Sequence, residues 1–165
     1  MEVVEGTATV GDVDAFVAEL VEVGADSECA VQAFDARYVV DREHLERAVA
    51  CADRARERGE AIADDHAVEI LLYAAGRRQI SRALEMGVDA GESPVVVVVH
   101  GGDGGDEGAA ASAVARLLDP AETLGAFDEE RVREFFDVSD RELGATDAGL
   151  AALVRERVAM LAVEK

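Results

Sequence analysis

Five consecutive valines, Val95 to Val99, flanked by Pro94 and His100, constrain the fold more than any other stretch. A strand with one face in water alternates apolar and polar residues, whereas an unbroken β-branched run needs cover on both faces. The pattern predicts a central strand over 95–100, opened by Pro94, with helices packed on either side. Weak alternation of Val3, Val4, Thr7 and Thr9 predicts a first strand over 2–9. Another is expected over 28–36, with Cys29, Val31 and Ala33 on one face.

The remainder reads as helix. Asp12 caps a helix with Val13, Phe16, Val17 and Leu20 at helical spacing up to Gly24, and Asp41 caps a longer one striped with Leu45, Ala48, Val49, Ala52 and Ala55 and stopped by Gly59. Further helices are expected over 107–118, ended by Pro120, after Asp128, with Val132, Phe135 and Phe136 turned inward, and over 147–163. Two or three strands make only a small sheet. The expectation is an α/β or α+β fold, a small β-sheet wrapped by about six helices, in a single domain spanning residues 1–165.

Residues 66–86 break a local rule that the rest of the chain keeps. Ile70, Leu71, Leu72 and Ala75 give one short apolar helix, capped by Asp64 or Asp65, and Ile80, Ala83 and Leu84 give the next. Gly76 lies between them, and Arg77 and Arg78 fall in the expected first turn of the second helix. Cations at a helix N-terminus cost about 0.3 to 1 kcal/mol each unless an anion sits between them. Two readings follow. Either Glu69 or Asp64 bridges the arginines, or the site takes an external phosphate or carboxylate. Ile70, Leu71 and Leu84 are expected in the core, with Arg78 free to leave the surface.

Charge is extreme and uneven. The 36 acidic residues exceed the 16 basic ones by 20, and Lys165 is the only lysine. Dense carboxylates, almost no lysine and a core of Ala and Val suggest a cytoplasmic protein made for concentrated salt, as in a halophilic archaeon, because molar salt screens self-repulsion. A cationic partner or mimicry of DNA is the alternative source of such acidity. Residues 37–86 nevertheless hold 10 acids and 9 arginines, against 26 acids and 7 bases in the other 115 residues. Those arginines either pair within helices, as Glu43 and Arg47 can, or face an anion. Arg47, Arg54 and Arg58 fall in one row, a ridge for a nucleic-acid backbone or a solvated face.

Several chemistries are missing from the pattern. Cys29 and Cys51 are 22 residues apart without a C-x-x-C, and His44, His66 and His100 are scattered, so no metal site is read from them. Cys51 sits among Ala48, Val49 and Ala52, where a free thiol acts as a small hydrophobe. The loop GGDGGDEG, 101–108, has Glu107 where G-x-G-x-x-G needs glycine, and reads as a flexible acidic surface loop. No serine has a G-x-S-x-G context. The N-terminal residues contain no signal peptide, and no apolar run is long enough to span a membrane. The expectation is a binding module without cofactor or catalytic residues.

The run EILLYAAGRRQISRAL, Glu69 to Leu84, resembles the signature of the PRPK-binding protein family (TPRKB), an accessory subunit of the KEOPS complex. The matching positions are Glu69, Ile70, Leu71, Ala74, Ala75, Gly76, Arg78, Gln79, Ile80 and Ala83, with Ala75 where the family usually has serine. Upstream, Gln32, Ala36, His44, Leu45 and Ala48 are similar to the family as well. The resemblance implies a non-catalytic subunit that binds the kinase-like ATPase (PRPK) subunit and the single-stranded CCA end of tRNA, in a complex that makes threonylcarbamoyladenosine. It implies RNA contacts at Gly76, Arg77, Arg78, Gln79 and Ile80. The alternative is a protein-interaction scaffold for a kinase-like partner, with no RNA contact.

Overall fold

The structure, a computed structural model, describes residues 1–164. The chain forms two compact units, one of residues 1–36 and 87–124, the other of residues 37–86 and 125–165.

The first unit holds the sheet. Its strands are β1 (Glu2–Val10), β2 (Ala30–Asp35), β3 (Gly91–His100) and β4 (Asp119–Pro120), in the order β2-β3-β1-β4. Every pairing is antiparallel, which settles the class as α+β. The valine run is central as expected: Val97 lies opposite Val4 of β1 and Ala33 of β2, and Val95 to Val99 are all fully buried. Val95, Val97 and Val99 face a core with Leu20, Ala110 and Val114, supplied by helices α1 (Val13–Ser27) and α5 (Glu107–Ala115). Val96 and Val98, pointing the other way, are equally buried.

Strand β3 begins at Gly91, so Pro94 lies within it and does not open it. Pairing with β2 starts at Val95, one residue beyond, so the N–H that proline lacks is not required by that strand. Helix α1 runs through Gly24 to Ser27 because Gly24 is no stop. A Cβ there would come within 2.7 Å of the Cys29 carbonyl oxygen, so glycine is what lets the entry to β2 approach the helix. Helix α5 ends at Ala115, before Pro120, which pairs with Gly6 in a short strand that the sequence did not suggest.

The acidic glycine loop has a built path. A Cβ on Gly101 would lie 2.9 Å from the Cα of Gly105, the Asp106 N–H donates to the Ser27 carbonyl at 2.9 Å, and Glu107 accepts from the Gly101 N–H at 2.8 Å. Glycines here serve close packing.

The second unit is helical: α2 (Arg42–Glu57), α3 (His66–Ala75), α4 (Ile80–Ala83), α6 (Glu129–Phe135), α7 (Asp140–Gly144) and α8 (Gly149–Glu164). Of eight α-helices among the described residues, two belong with the sheet and six here, where about six in all were expected. The five-residue α7, capped by the Ser139 hydroxyl, is too short to show periodicity. Asp41 caps α2 as predicted, Asp65 is the one of the two candidates that caps α3, and Gly59, at φ 69°, follows the end of α2. Leu150, Leu153, Val154, Val158 and Leu161 bury the inner stripe of α8, which packs on α2 and α3. Both cysteines are free thiols. No helix among the described residues is long and apolar enough to cross a membrane.

Candidate nucleic-acid interface

The five predicted site residues lie in and around the joint between α3 and α4, and they divide into two groups. Gly76 takes the left-handed conformation, φ 61°, at the C-terminus of α3, where its N–H and that of Arg77 return to the carbonyls of Tyr73 and Leu72, each at 3.0 Å. A Cβ on Gly76 would lie 3.2 Å from the Arg157 carbonyl oxygen. Glycine is required twice, for the torsion and for the close approach of α8.

Arg77 turns inward. Its guanidinium donates to the Phe135 carbonyl, lies 5.1 Å from the centre of the Phe135 ring and is 3.4 Å from the Asp137 carboxylate. Arg157 comes to the same turn from α8, donating to the Phe136 carbonyl at 3.1 Å and holding both carboxylate oxygens of Glu142 at 2.8 and 2.9 Å. The bidentate guanidinium holds the Glu142 carboxyl below its usual range and raises the arginine in turn. Two arginines thus staple the end of α6, where Asp137 has a φ of 54° despite its side chain. Gly76, Arg77, Phe136, Asp137 and Arg157 line an open cleft of about 300 Å³ with Glu156 and Met160.

Arg78, Gln79 and Ile80 turn outward and are exposed. Among the described residues the Arg78 side chain has no hydrogen-bond or ion-pair partner, nor has that of Arg82, four residues on and also exposed. The expected geometry of this joint needs correction. Arg77 and Arg78 precede α4 instead of occupying its first turn: Gln79 is its N-cap, makes no side-chain capping bond, and the helix is four residues long before a 3-10 turn over Leu84–Met86. A single turn has little dipole, so the predicted conflict with a helix N-terminus does not arise. Leu84, predicted as core with Ile70 and Leu71, is 56% exposed, and Ile80 is 48% exposed. On so short a helix Ala83 and Met86 fill the inner side and leave the two larger residues outside.

The predicted intramolecular bridges are also different. Glu69, fully buried, accepts from the backbone N–H groups of Ile62 and Ala63 at 3.0 and 2.8 Å, fixing the loop before α3, and does not touch the arginines. Arg77 has a structural partner, but it is the α6 turn. Arg82 escaped the sequence reading, although its i,i+4 spacing from Arg78 was there to be seen.

The joint is supported from below by His44 on α2. Its Nε2 lies 2.8 Å from the Ala74 carbonyl oxygen, and its Nδ1 is 3.3 Å from the Val40 nitrogen. The carbonyl can only accept and the amide can only donate, so the ring is neutral with its proton on Nε2. Burial is the main reason that its pKa falls to about 4. Phe136 packs edge-on against it at 5.7 Å and against Phe135 at 5.0 Å, and Phe135 meets Tyr38 at 5.5 Å. The surface group of Arg78, Gln79 and Ile80 therefore stands on a fully packed base.

Comparison with curated proteins finds no match. A family model described as "Kinase binding protein CGI-121" matches residues 10–162, nearly the whole chain. It spans strands β2, β3 and β4, the α3–α4 joint and most of α8, so the chain belongs to the CGI-121 family of kinase binding proteins.

Proposed function

We propose that this protein is a non-catalytic subunit of a KEOPS assembly, which docks a kinase-like ATPase and holds the single-stranded CCA end of tRNA for threonylcarbamoyladenosine synthesis. Arg78 carries the RNA reading: an exposed guanidinium without a partner among the described residues, in a chain where acids exceed bases by 20. Arg82 stands one turn away, Gln79 offers an amide for a base edge, and Ile80 and Leu84 give an apolar floor beside them. Planar donors, an amide and an apolar support suit splayed, unstacked bases. Gly76 and Arg77 act in this reading by holding the joint in shape.

The acidic composition supports a protein working in concentrated salt, and this affects how RNA is held. Each phosphate contact on a single strand costs about 0.7 in log K per decade of salt, so a grip made of phosphates alone fails at molar salt. Stacking and base-edge hydrogen bonds persist. The test is binding of a short single-stranded RNA ending in CCA, in molar potassium chloride, against the same RNA without its terminal nucleotides. Preference for the intact end is expected. Equal binding of both, or of neither, leaves the scaffold reading, in which only the kinase-like partner is bound.

A further inference from the structure

Helices α2 and α3 run antiparallel. The His44–Ala74 contact joins the start of α2 to the end of α3, and His66 Nε2, 2.7 Å from Asp53 Oδ1, joins the start of α3 to the later part of α2. Beyond Asp53, α2 ends in Arg54 and Arg56, with Arg58 as its C-cap. All three are exposed, and among the described residues none of their side chains has a hydrogen-bond or ion-pair partner.

The first half of the same helix behaves differently. There Arg47 pairs with Glu43 at 3.3 Å and Arg42 with Glu46 at 3.9 Å. A helix C-terminus favours cations in its last turn, which explains why arginines are tolerated there. It does not explain three unpaired guanidiniums within five residues of a strongly acidic chain, with Glu57 and Glu60 close at hand. Arg54 and Arg58, one turn apart, share a face and can follow a line of phosphates.

The axial distance from the α3–α4 joint sets the footprint. His44 marks that joint on α2 through its contact with Ala74, and ten residues separate it from Arg54, about 15 Å along the helix. That corresponds to about four phosphates of a stacked strand at 3.4 Å each. We propose that Arg54 and Arg58, at the C-terminal end of α2, form a second RNA contact, which takes the phosphates upstream of the end held at Arg78. This rests on the RNA reading above and extends it: the end is read by its bases, and the strand leading to it adds charge contacts that weaken as salt rises.

The experiment compares a CCA trinucleotide with an eight-nucleotide single-stranded RNA ending in CCA, titrated by fluorescence anisotropy across a potassium chloride series. The proteins are the wild type, Arg54→Gln with Arg58→Gln, and Arg54→Lys with Arg58→Lys, each checked for fold by circular dichroism. The glutamine variant should bind the trinucleotide as the wild type does and lose affinity for the longer RNA. Its salt slope for that RNA should fall by about 1.4, two contacts at about 0.7 each. The lysine variant, which keeps the charge, should keep the slope. An unchanged slope in the glutamine variant, or wild-type binding of the octamer no tighter than the trinucleotide, overturns the second contact while the CCA reading stands. Binding of neither RNA by the wild type overturns both.

Discussion

His44 Nε2 donates to the carbonyl of Ala74 across 2.8 Å, and this one bond ties the start of α2 to the turn that presents Gly76 and Arg78. The carbonyl belongs to the last turn of α3, where the helix itself offers no N–H, so a side chain from a neighbouring helix must supply one. Because Nδ1 accepts from Val40, the imidazole can serve both groups only while it is neutral. Complete burial lowers its pKa to about 4, against the opposing pull of the Ala74 carbonyl.

A pH dependence follows, and its sign is fixed. The folded pKa is about 4, below the ordinary 6.5, so as pH falls the unfolded chain takes up the proton first. Stability should therefore decline between about pH 6.5 and pH 4, by on the order of 3 kcal/mol from this group. Protonation of surface carboxylates relieves self-repulsion and acts in the opposite direction, so wild type and His44→Leu are compared. The variant should be less stable at pH 7.5 by about 1 to 3 kcal/mol, because two buried backbone groups lose their partner. The gap should close towards pH 4. Denaturant melts at constant high salt measure it, and a gap independent of pH would mean that His44 is not neutral in the fold.

Gly76 and Arg77 are predicted to act on stability. Gly76→Ala forces a side chain into a left-handed torsion and against the Arg157 carbonyl, and should cost about 1 to 3 kcal/mol. Arg77→Ala removes the link to Phe135 and Asp137 and should also destabilise, by about 1 to 2 kcal/mol, with its largest effect on the order of the α6 turn. Thermal melts at fixed salt give both numbers. Hydrogen exchange around residues 135–138 separates local loosening from global loss. If either variant melts with the wild type, the division of the motif into buried and exposed halves is wrong at that residue.

How far the sequence could be read depended on whether a residue's role was local. Val95–Val99 announced a buried strand because burial on both faces is written directly in composition, and Asp12, Asp41, Asp65 and Asp128 announced helix starts because capping is a short-range bond. The role of Arg77 depends on Phe135 and Asp137, some sixty residues away, and no spacing rule reaches that far. Leu84 lies outside the core for a related reason: helical periodicity does not hold over a segment that makes one turn before tightening into a 3-10 helix. Strand β4 and helix α7 are too short to carry a period.

Salt should be needed to hold the fold, and unevenly so. The sheet-bearing unit contains 16 acidic residues and one basic residue, Arg116, whereas the helical unit contains 20 acidic and 15 basic ones. The first unit sets only Arg116 and the N-terminal amine, 3.1 Å from Glu107, against its carboxylates, and the Debye length must shrink to about 3 Å, as at 1 M salt, before their repulsion is screened. Circular dichroism from dilute buffer to molar potassium chloride should show recovery of a cooperative melt. Hydrogen exchange at low salt should show α1 and α5 opening before α2 and α8. A melting temperature unchanged across the series would refute the reading of a protein made for salt.

Arg78→Ala separates the proposed RNA contact from maintenance of the fold. The side chain is exposed and has no partner among the described residues, so truncation should change stability by no more than about 0.5 kcal/mol. The complex with the kinase-like partner should persist, since the packed base formed by His44, Phe135 and Phe136 is untouched. RNA affinity should fall. A stacked or bidentate contact to a base predicts a loss of about 1 to 3 kcal/mol that remains at molar salt, because such contacts release few counterions. A contact to phosphate predicts a smaller loss at high salt and a slope reduced by about 0.7. Titration of a CCA-ended RNA against wild type and Arg78→Ala across a salt series, beside melts of both, distinguishes these outcomes. Unchanged affinity at every salt concentration would remove Arg78 from the RNA surface and favour the scaffold reading, in which only the kinase-like partner is bound.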